Sequence, residues 1–235
     1  MRILVTGAST GLGLGAAEAL VRAGHEVVAH VRSASSEHAD DPRWLATITG
    51  DLTDADQTRA IAAGANGVGR LDAVIHSAGV YRSGDEFAVN VLAPFLLTAL
   101  IETPGRLIYL SSGLHRSGST DLSRIDSGRV TYSDSKLYIT ALAMEIADRW
   151  SGTASHAVDP GWVPTRMGGS SAPDDLVEGH ETQVWLATAD DVEPATGGYW
   201  HHRRTEAPHP AAQDAVFRRE LVERLEVVAG VALDP

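Results

Sequence analysis

Five short apolar, β-branched runs recur along the chain: ILVT (3–6), EVVAHV (26–31), DAVIHS (72–77), RLIYLSS (106–112) and ASHAVDPG (154–161). Longer stretches with helical spacing separate them, among them GLGAAEALVRAG (13–24), DEFAVNVLAPFLLTALIE (85–102) and YSDSKLYITALAMEIADRW (132–150). Strand and helix in alternation leave few solutions. Parallel strands need a crossover, and a helix is the usual one. The runs are continuously apolar rather than alternating, as in a sheet covered on both faces. The expected fold is therefore α/β: a doubly wound parallel sheet of about seven strands, Rossmann-type, with helices on both faces. A probable edge strand near GGYWHH and a helix from about 211 to 229 follow the last crossover. No repeat or Pro/Gly linker divides the chain, so residues 1–235 read as a single domain. Two loop-like stretches, 113–131 and 164–180, are long enough to serve as lids or binding loops.

Composition narrows the partners. A formal charge of −12 offers nothing to offset phosphate repulsion, which argues against broad binding to nucleic acid or an anionic membrane. No apolar run reaches the length of a membrane span. With no cysteine there is no disulfide, thiol nucleophile or cysteine-ligated metal. The start, MRILVTG, enters a strand directly and lacks the apolar core of a signal peptide, which favours a cytoplasmic location.

The first run leads into GASTGLGLG, with Gly7, Gly11 and Gly13 where strand becomes helix. Glycine allows a tight turn and a close backbone approach to a pyrophosphate, and the helix presents its positive end to it. Dinucleotide folds often place a carboxylate on the ribose at the end of the second strand. Here that position reads AHVRS (29–33), with Arg32 and no acid. An arginine pairs with a 2′-phosphate that an acid would repel. NADP(H) is therefore preferred, with NAD(H) as the open alternative, and Ser33 adds a hydroxyl. His30 is expected to pack against the strand's surroundings.

YSDSK (132–136) holds the only lysine in the chain; the other 18 of the 19 basic residues are arginine. Four residues apart on a helix, Tyr132 and Lys136 share a face. A free phenol titrates at about 10, too high for easy proton exchange near neutrality. A neighbouring ammonium is expected to pull that value down. Lysine is a compact charge with three rotatable donors, where arginine is a broad planar fork.

With TGASTGLG, Asp51 in GDLTD, SAG (77–79), Asn90 in AVNVLAPF, Ser112 in LSSG, YSDSK and PGWVPT (160–165) in this order, the chain resembles the short-chain dehydrogenase/reductases over nearly its full length. The resemblance implies that Tyr132 is the general acid in carbonyl reduction, or the base in reverse. Lys136 would hold the nicotinamide ribose, Ser112 (less so Ser111) the substrate oxygen, and Asn90 a water in a proton relay, interrupting its helix. Gly7, Thr10, Gly11, Leu12 and Gly13 would surround the pyrophosphate, Asp51 and Leu52 flank the adenine, and Ala78 and Gly79 line the cleft. Pro160, Gly161 and Thr165 would contact the nicotinamide end. Two departures stand out: His76 and Ser77 replace the usual asparagines before AG, and Ser112 and Tyr132 are 20 residues apart. SSGLHRSG and the GGYWHHRR…PHP ending resemble the retinol-dehydrogenase-like branch.

Leu114, His115, Trp162 and Met167 lie where they would line an apolar substrate pocket. His201 and His202, on one strand, would face opposite sides, so no metal site is expected. In this family, helices such as 85–102 and 132–150 often build a homodimer or homotetramer, and the same is expected here, with a monomer whose own chain covers both faces as the alternative. The activity implied is an NADP(H)-dependent reduction of a ketone or aldehyde, or its reverse, on a small-molecule substrate. The alternatives are an NAD-linked alcohol dehydrogenase and a non-catalytic NADP(H)-sensing regulator.

Overall fold

β1 (Arg2–Val5) lies at the middle of the sheet, flanked in parallel by β2 (Glu26–Val31) and β4 (Ala73–His76). The computed structural model describes residues 1–235. β3 (Ala46–Thr49) lies outside β2; β5 (Arg106–Leu110), β6 (Ala154–Asp159) and β7 (Tyr199–His201) continue beyond β4, giving the order β3-β2-β1-β4-β5-β6-β7-β8. Only β8 (Arg204–Thr205) is antiparallel. The winding reverses between β1 and β4, and the carboxyl ends of these strands open a crevice where doubly wound folds bind ligands.

The sheet thus has eight strands rather than about seven. Two escaped the sequence reading because neither carries an apolar run. β3 is ATIT, none of it fully buried, and β8 is a two-residue exposed return.

Alternate residues of the strands feed two cores. Leu4, Val28, Leu107 and Tyr109 join the larger, beneath α2 (Ala55–Val68), α3 (Ala93–Leu100), α5 (Tyr132–Arg149) and α8 (Ala215–Ala229). Ile3, Val5, Ile108 and Val158 join the smaller, beneath α1 (Gly11–Arg22) and α6 (Leu176–Thr188). No helix is long and apolar enough to cross a membrane.

The 85–102 segment is not one helix. Ala88–Leu92 form a π-helical turn before α3 begins. Pro94 has no N–H for the carbonyl four residues back, that of Asn90, and the wider turn accommodates the loss. The stretch 113–131 contains a 3₁₀ turn (Gly113–Ser117) and the short helix α4 (Ser123–Asp126), and the second loop ends at 175 where α6 begins. Near the C-terminus, Asp214 ends α7 (Pro210–Gln213) and caps α8 through the Val216 N–H.

Assembly through helix 132–150 needs correction. Asp134 to Ile146 of α5 are all buried within the chain, because α7 and α8 lie across the outer face. Arg218 of α8 reaches Glu145 at 3.2 Å and also pairs with Asp148. A surface already occupied by the chain's own helices leaves α5 no free apolar face for a second copy.

α5 starts on a capping box. The Thr131 hydroxyl accepts from Asp134 N, and the Asp134 carboxylate accepts from Thr131 N at 2.9 Å, Ser119 N at 2.7 Å and Arg124 at 2.8 Å. This network sets the first residue of the helix, Tyr132. Thr131→Ala is expected to cost about 1 kcal/mol, read as a fall of about 2–4 °C in Tm. An unchanged Tm would mean that Asp134 alone holds the helix start.

Candidate active site

The turn after β1 leaves no room for side chains. Gly7 has φ +70°, and a Cβ there would lie 3.0 Å from the Ala78 Cα. At Gly13 a Cβ would meet the Gly7 carbonyl at 2.3 Å, so strand and helix pack backbone to backbone. Thr10 caps α1 without a side-chain bond, and no acid occupies the first turn, so the helix N-terminus keeps its N–H groups and positive potential for an anion. His30 fastens this turn from below: its Nδ1 accepts from Gly7 N at 3.2 Å and its Nε2–H donates to the Gly50 carbonyl at 2.9 Å. Burial lowers its pKa, which keeps that neutral tautomer.

Above the turn lies a cleft of about 660 Å³, lined by Gly7, Thr10, Gly11, Leu12, Gly13, Arg32, Asp51, Leu52, Ala78, Gly79, Thr165 and Met167. Glycine cradle, free helix N-terminus and cleft together fit a dinucleotide. Asp51 is organised as expected at its edge; Thr53 donates to it from N and Oγ1, both at 2.9 Å, and holds its pKa down. Ser33 is not part of the lining, because its hydroxyl turns to Ser35 and Ser36, and those two serines with Glu37 line the cleft instead. Pro160 and Gly161 also stand outside it. Gly161 N is drawn to Asp159 Oδ1 at 3.0 Å.

Gly79 connects the cleft to Asn90 and Lys136. A Cβ on it would be 3.7 Å from Lys136 Nζ and 3.4 Å from Asn90 Oδ1. Lys136, only 4% exposed, donates to the Leu110 carbonyl at 2.8 Å and lies 5.5 Å from the centre of the Tyr132 ring. Ser112 follows β5; its Oγ accepts from Leu114 N at 3.3 Å, which leaves the O–H free to donate toward Tyr132 or a substrate oxygen. Ser111 is buried and bonded to Thr140 at 2.6 Å, a packing role. The Asn90 side chain is fully engaged: Oδ1 accepts from Val80 N at 2.8 Å, and Nδ2 donates to Val80 O and Ser135 Oγ, both at 3.0 Å.

The phenol departs from expectation. Burial pushes Tyr132 up to about 12, against which the Ser112 hydrogen bond pulls, while the negative charge of Asp159 adds to the rise. The ammonium does not reverse this, because it points at Leu110 and is itself lowered to about 8 by burial. At neutral pH Tyr132 is a phenol, ready to donate.

Leu114, Met167, Trp162 (56% exposed) and Tyr81 are exposed apolar side chains; a Cβ on Gly79 would lie 3.8 Å from Met167 Cε, and Tyr81 packs edge-on against Tyr132 at 4.9 Å between ring centres. His115 is not one of them. It is wholly buried against Tyr199, its Nδ1–H donating to the Ser112 carbonyl at 2.8 Å and its Nε2 accepting from His209 N at 2.9 Å. Tyr81, Asp159 and Arg166 are the residues that sequence reading missed, and His30, expected to pack, is buried as it does so. Tyr81 stands two residues beyond SAG, and that offset is its only signal.

His201 and His202 do not face opposite sides of a strand. His202 leaves β7 with φ +46°, and the two rings approach to 3.9 Å. No group of three or more His, Cys, Asp or Glu side chains is arranged to hold a metal ion.

The family model for short chain dehydrogenase matches residues 1–176. Short-chain dehydrogenase chyC of Penicillium rubens is 36% identical over 256 aligned positions, covering 99% of this chain and 98% of its own. Mouse retinol dehydrogenase 14 is 28% identical over 97% of this chain and 86% of its own, in line with the branch resemblance. A solved protein of Mycobacterium paratuberculosis shares the fold at TM-score 0.83 and 22% identity, over 100% of this chain and 95% of its own. A Shigella flexneri 2a protein solved in complex with NADP superposes at TM-score 0.68 and 26% identity, over 86% of this chain and 97% of its own. With these likenesses along its length and the tyrosine and lysine of YSDSK beside the dinucleotide cleft, the chain belongs to the short-chain dehydrogenase/reductase family and is a nicotinamide-dependent oxidoreductase.

Proposed function

We propose that this protein reduces a ketone or aldehyde to an alcohol with NADPH, or runs the reverse with NADP⁺, on a small to medium substrate apolar near its carbonyl. The observation that carries this reading is the Tyr132 phenol, held protonated beside a buried ammonium at one end of a cleft whose adenosine end bears Arg32. The cofactor supplies or accepts the hydride; the protein orients and moves the proton. Ser112 donates a hydrogen bond to the carbonyl oxygen, and the Tyr132 O–H transfers its proton to that oxygen as negative charge develops there. Lys136, its ammonium 5.5 Å from the ring centre, offsets the charge of the phenolate left behind, and a proton from solvent restores the phenol. Leu114, Trp162, Met167 and Tyr81 offer the substrate an apolar, partly aromatic rim, consistent with a carbonyl carried on an apolar body.

Arg32 supports NADP(H), and so does the relative solved with NADP. Glu37 favours the NAD(H) reading: it lines the same end of the cleft, where its carboxylate would repel a 2′-phosphate. Arg166, 4.0 Å from Glu37, offsets that charge. Arg32→Ala decides between the two. A charged hydrogen-bonded pair contributes about 1.5–3 kcal/mol, so the NADPH Kd is expected to rise about 10- to 100-fold. The NADH Kd should barely move; equal effects on both would return the choice to NAD(H).

A further inference from the structure

β5 is tied to β6 as far as Ser111, whose N–H donates to the Val158 carbonyl at 2.7 Å. Ser112 is the next residue, and the 3₁₀ turn Gly113–Ser117 follows it. One side chain fastens that turn. The Ser112 carbonyl accepts twice from His115, from its backbone N–H at 3.0 Å and from Nδ1 at 2.8 Å. The other ring nitrogen, Nε2, accepts from His209 N at 2.9 Å, 94 residues further along the chain. A carbonyl only accepts and a backbone N–H only donates, so the ring carries its hydrogen on Nδ1 and is neutral. The side chain is wholly buried, its ring centre 4.5 Å from that of Tyr199 on β7.

The neighbouring residue repeats the connection. Arg116 reaches Glu206 at 2.8 Å and the Ala207 carbonyl at 3.0 Å, and Glu206 N donates to the Tyr199 carbonyl at 2.9 Å. Residues 206–209 are therefore bonded to the sheet on one side and to the turn on the other. A Cβ on Gly113 would lie 3.0 Å from Asp159 Oδ2 and 4.0 Å from Arg116 Nη1, so the turn lies close against the end of β6. Packing would ask only for an apolar ring beside Tyr199. A buried ring that donates to one backbone group and accepts from another fixes distance and direction as well.

We propose that His115 is a positioning residue of the active site: by clamping the Ser112 carbonyl to the His209 amide it fixes the direction of the Ser112 side chain, and it makes residues 206–209 part of the support for the substrate oxygen. The role rests on the reading of Ser112 as the hydrogen-bond donor to that oxygen. With Ser111 held by the sheet and the Ser112 carbonyl by the ring, the Cα–Cβ bond of Ser112 is left one direction, which brings Oγ to Leu114 N at 3.3 Å and sets where its O–H can point. A serine free to turn would meet the substrate oxygen at a worse distance and angle, at a cost in rate rather than in cofactor binding.

Asparagine and glutamine divide the two bonds of the ring. An Asn amide can take the place of Nδ1 and still donate to Ser112; a Gln amide can take the place of Nε2 and still accept from His209. His115→Leu and His115→Gln should lower kcat for NADPH-dependent reduction about 10²-fold, with the NADPH Kd unchanged. His115→Asn should recover about tenfold of that loss, the worth of one hydrogen bond. A packing role alone would rank the three variants by Tm instead, and equal kcat in the Asn and Gln variants overturns the proposal. If none of the three folds, His209→Pro decides. The φ of −54° at His209 suits proline, and the change removes the N–H and the Ala211 cap while leaving His115 in place. It should lower kcat several-fold; an unchanged kcat overturns the proposal. Failure of the wild type to reduce any carbonyl would strike the proposed function. The clamp would still be decided by hydrogen exchange at the His209 amide, expected to be faster in His115→Asn than in His115→Gln and overturned by equal rates.

Discussion

Tyr132→Phe is expected to lower kcat for NADPH-dependent carbonyl reduction by about 10³-fold, within the 10²–10⁴ that a positioned general acid supplies. The substitution removes one oxygen and little else. The ring keeps its edge-on contact with Tyr81, and the helix start stays fixed by Thr131 and Asp134 rather than by the phenol. The affinity for NADPH should be nearly unchanged, because the cleft is lined by the glycine turn, Arg32 and Thr165 and not by Tyr132. The measurement is turnover across a panel of ketones and aldehydes beside NADPH binding on the same samples. Retention of more than about a tenth of wild-type kcat would remove Tyr132 from the proton path. Tight NADPH binding with no turnover by either protein would instead favour a cofactor-sensing regulator. The intact donor set argues for the enzyme: a sensor has no use for a buried phenol beside a buried ammonium.

What was legible in the sequence divides along a physical line. Central strands are buried on both faces, so β1, β2, β4, β5 and β6 announced themselves as apolar runs. β3 and β8, at the sheet's margins, carry no such pattern. Gly7 and Gly13 were readable because contact geometry admits nothing larger. The break at Asn90 was legible in place, and the proline four residues later supplies its cause. Side-chain direction was not legible. Nothing in SSGLHRSG tells that His115 turns inward to Tyr199 while Leu114 turns out, or that the Ser33 hydroxyl is taken by its neighbours. Electrostatic sign was equally hidden. The i, i+4 spacing of Tyr132 and Lys136 predicted a depressed phenol, but burial raises it, and Asp159, 27 residues further along the chain, adds to the rise.

Lys136→Arg is expected to keep the charge and lose the enzyme. The ammonium occupies an enclosed slot between the Leu110 carbonyl, the open side of Gly79 and the Asn90 side chain. A guanidinium is wider and planar, and it cannot bond Leu110 O from the same place without displacing one of these walls. Displacement of a catalytic group by about 1 Å costs about 10²-fold, so kcat at neutral pH should fall by at least that factor. The pH profile carries a second signature. The wild-type ammonium loses its proton near pH 8, so reduction should decline above that value. Arginine stays charged at any pH the fold survives, so the residual activity of Lys136→Arg should lack this decline. Near-normal turnover at neutral pH would show that only charge is required at this position, and the single lysine among 18 arginines would then need no chemical reason. A large loss together with a flat alkaline profile would show that shape, as well as charge, is what the position selects.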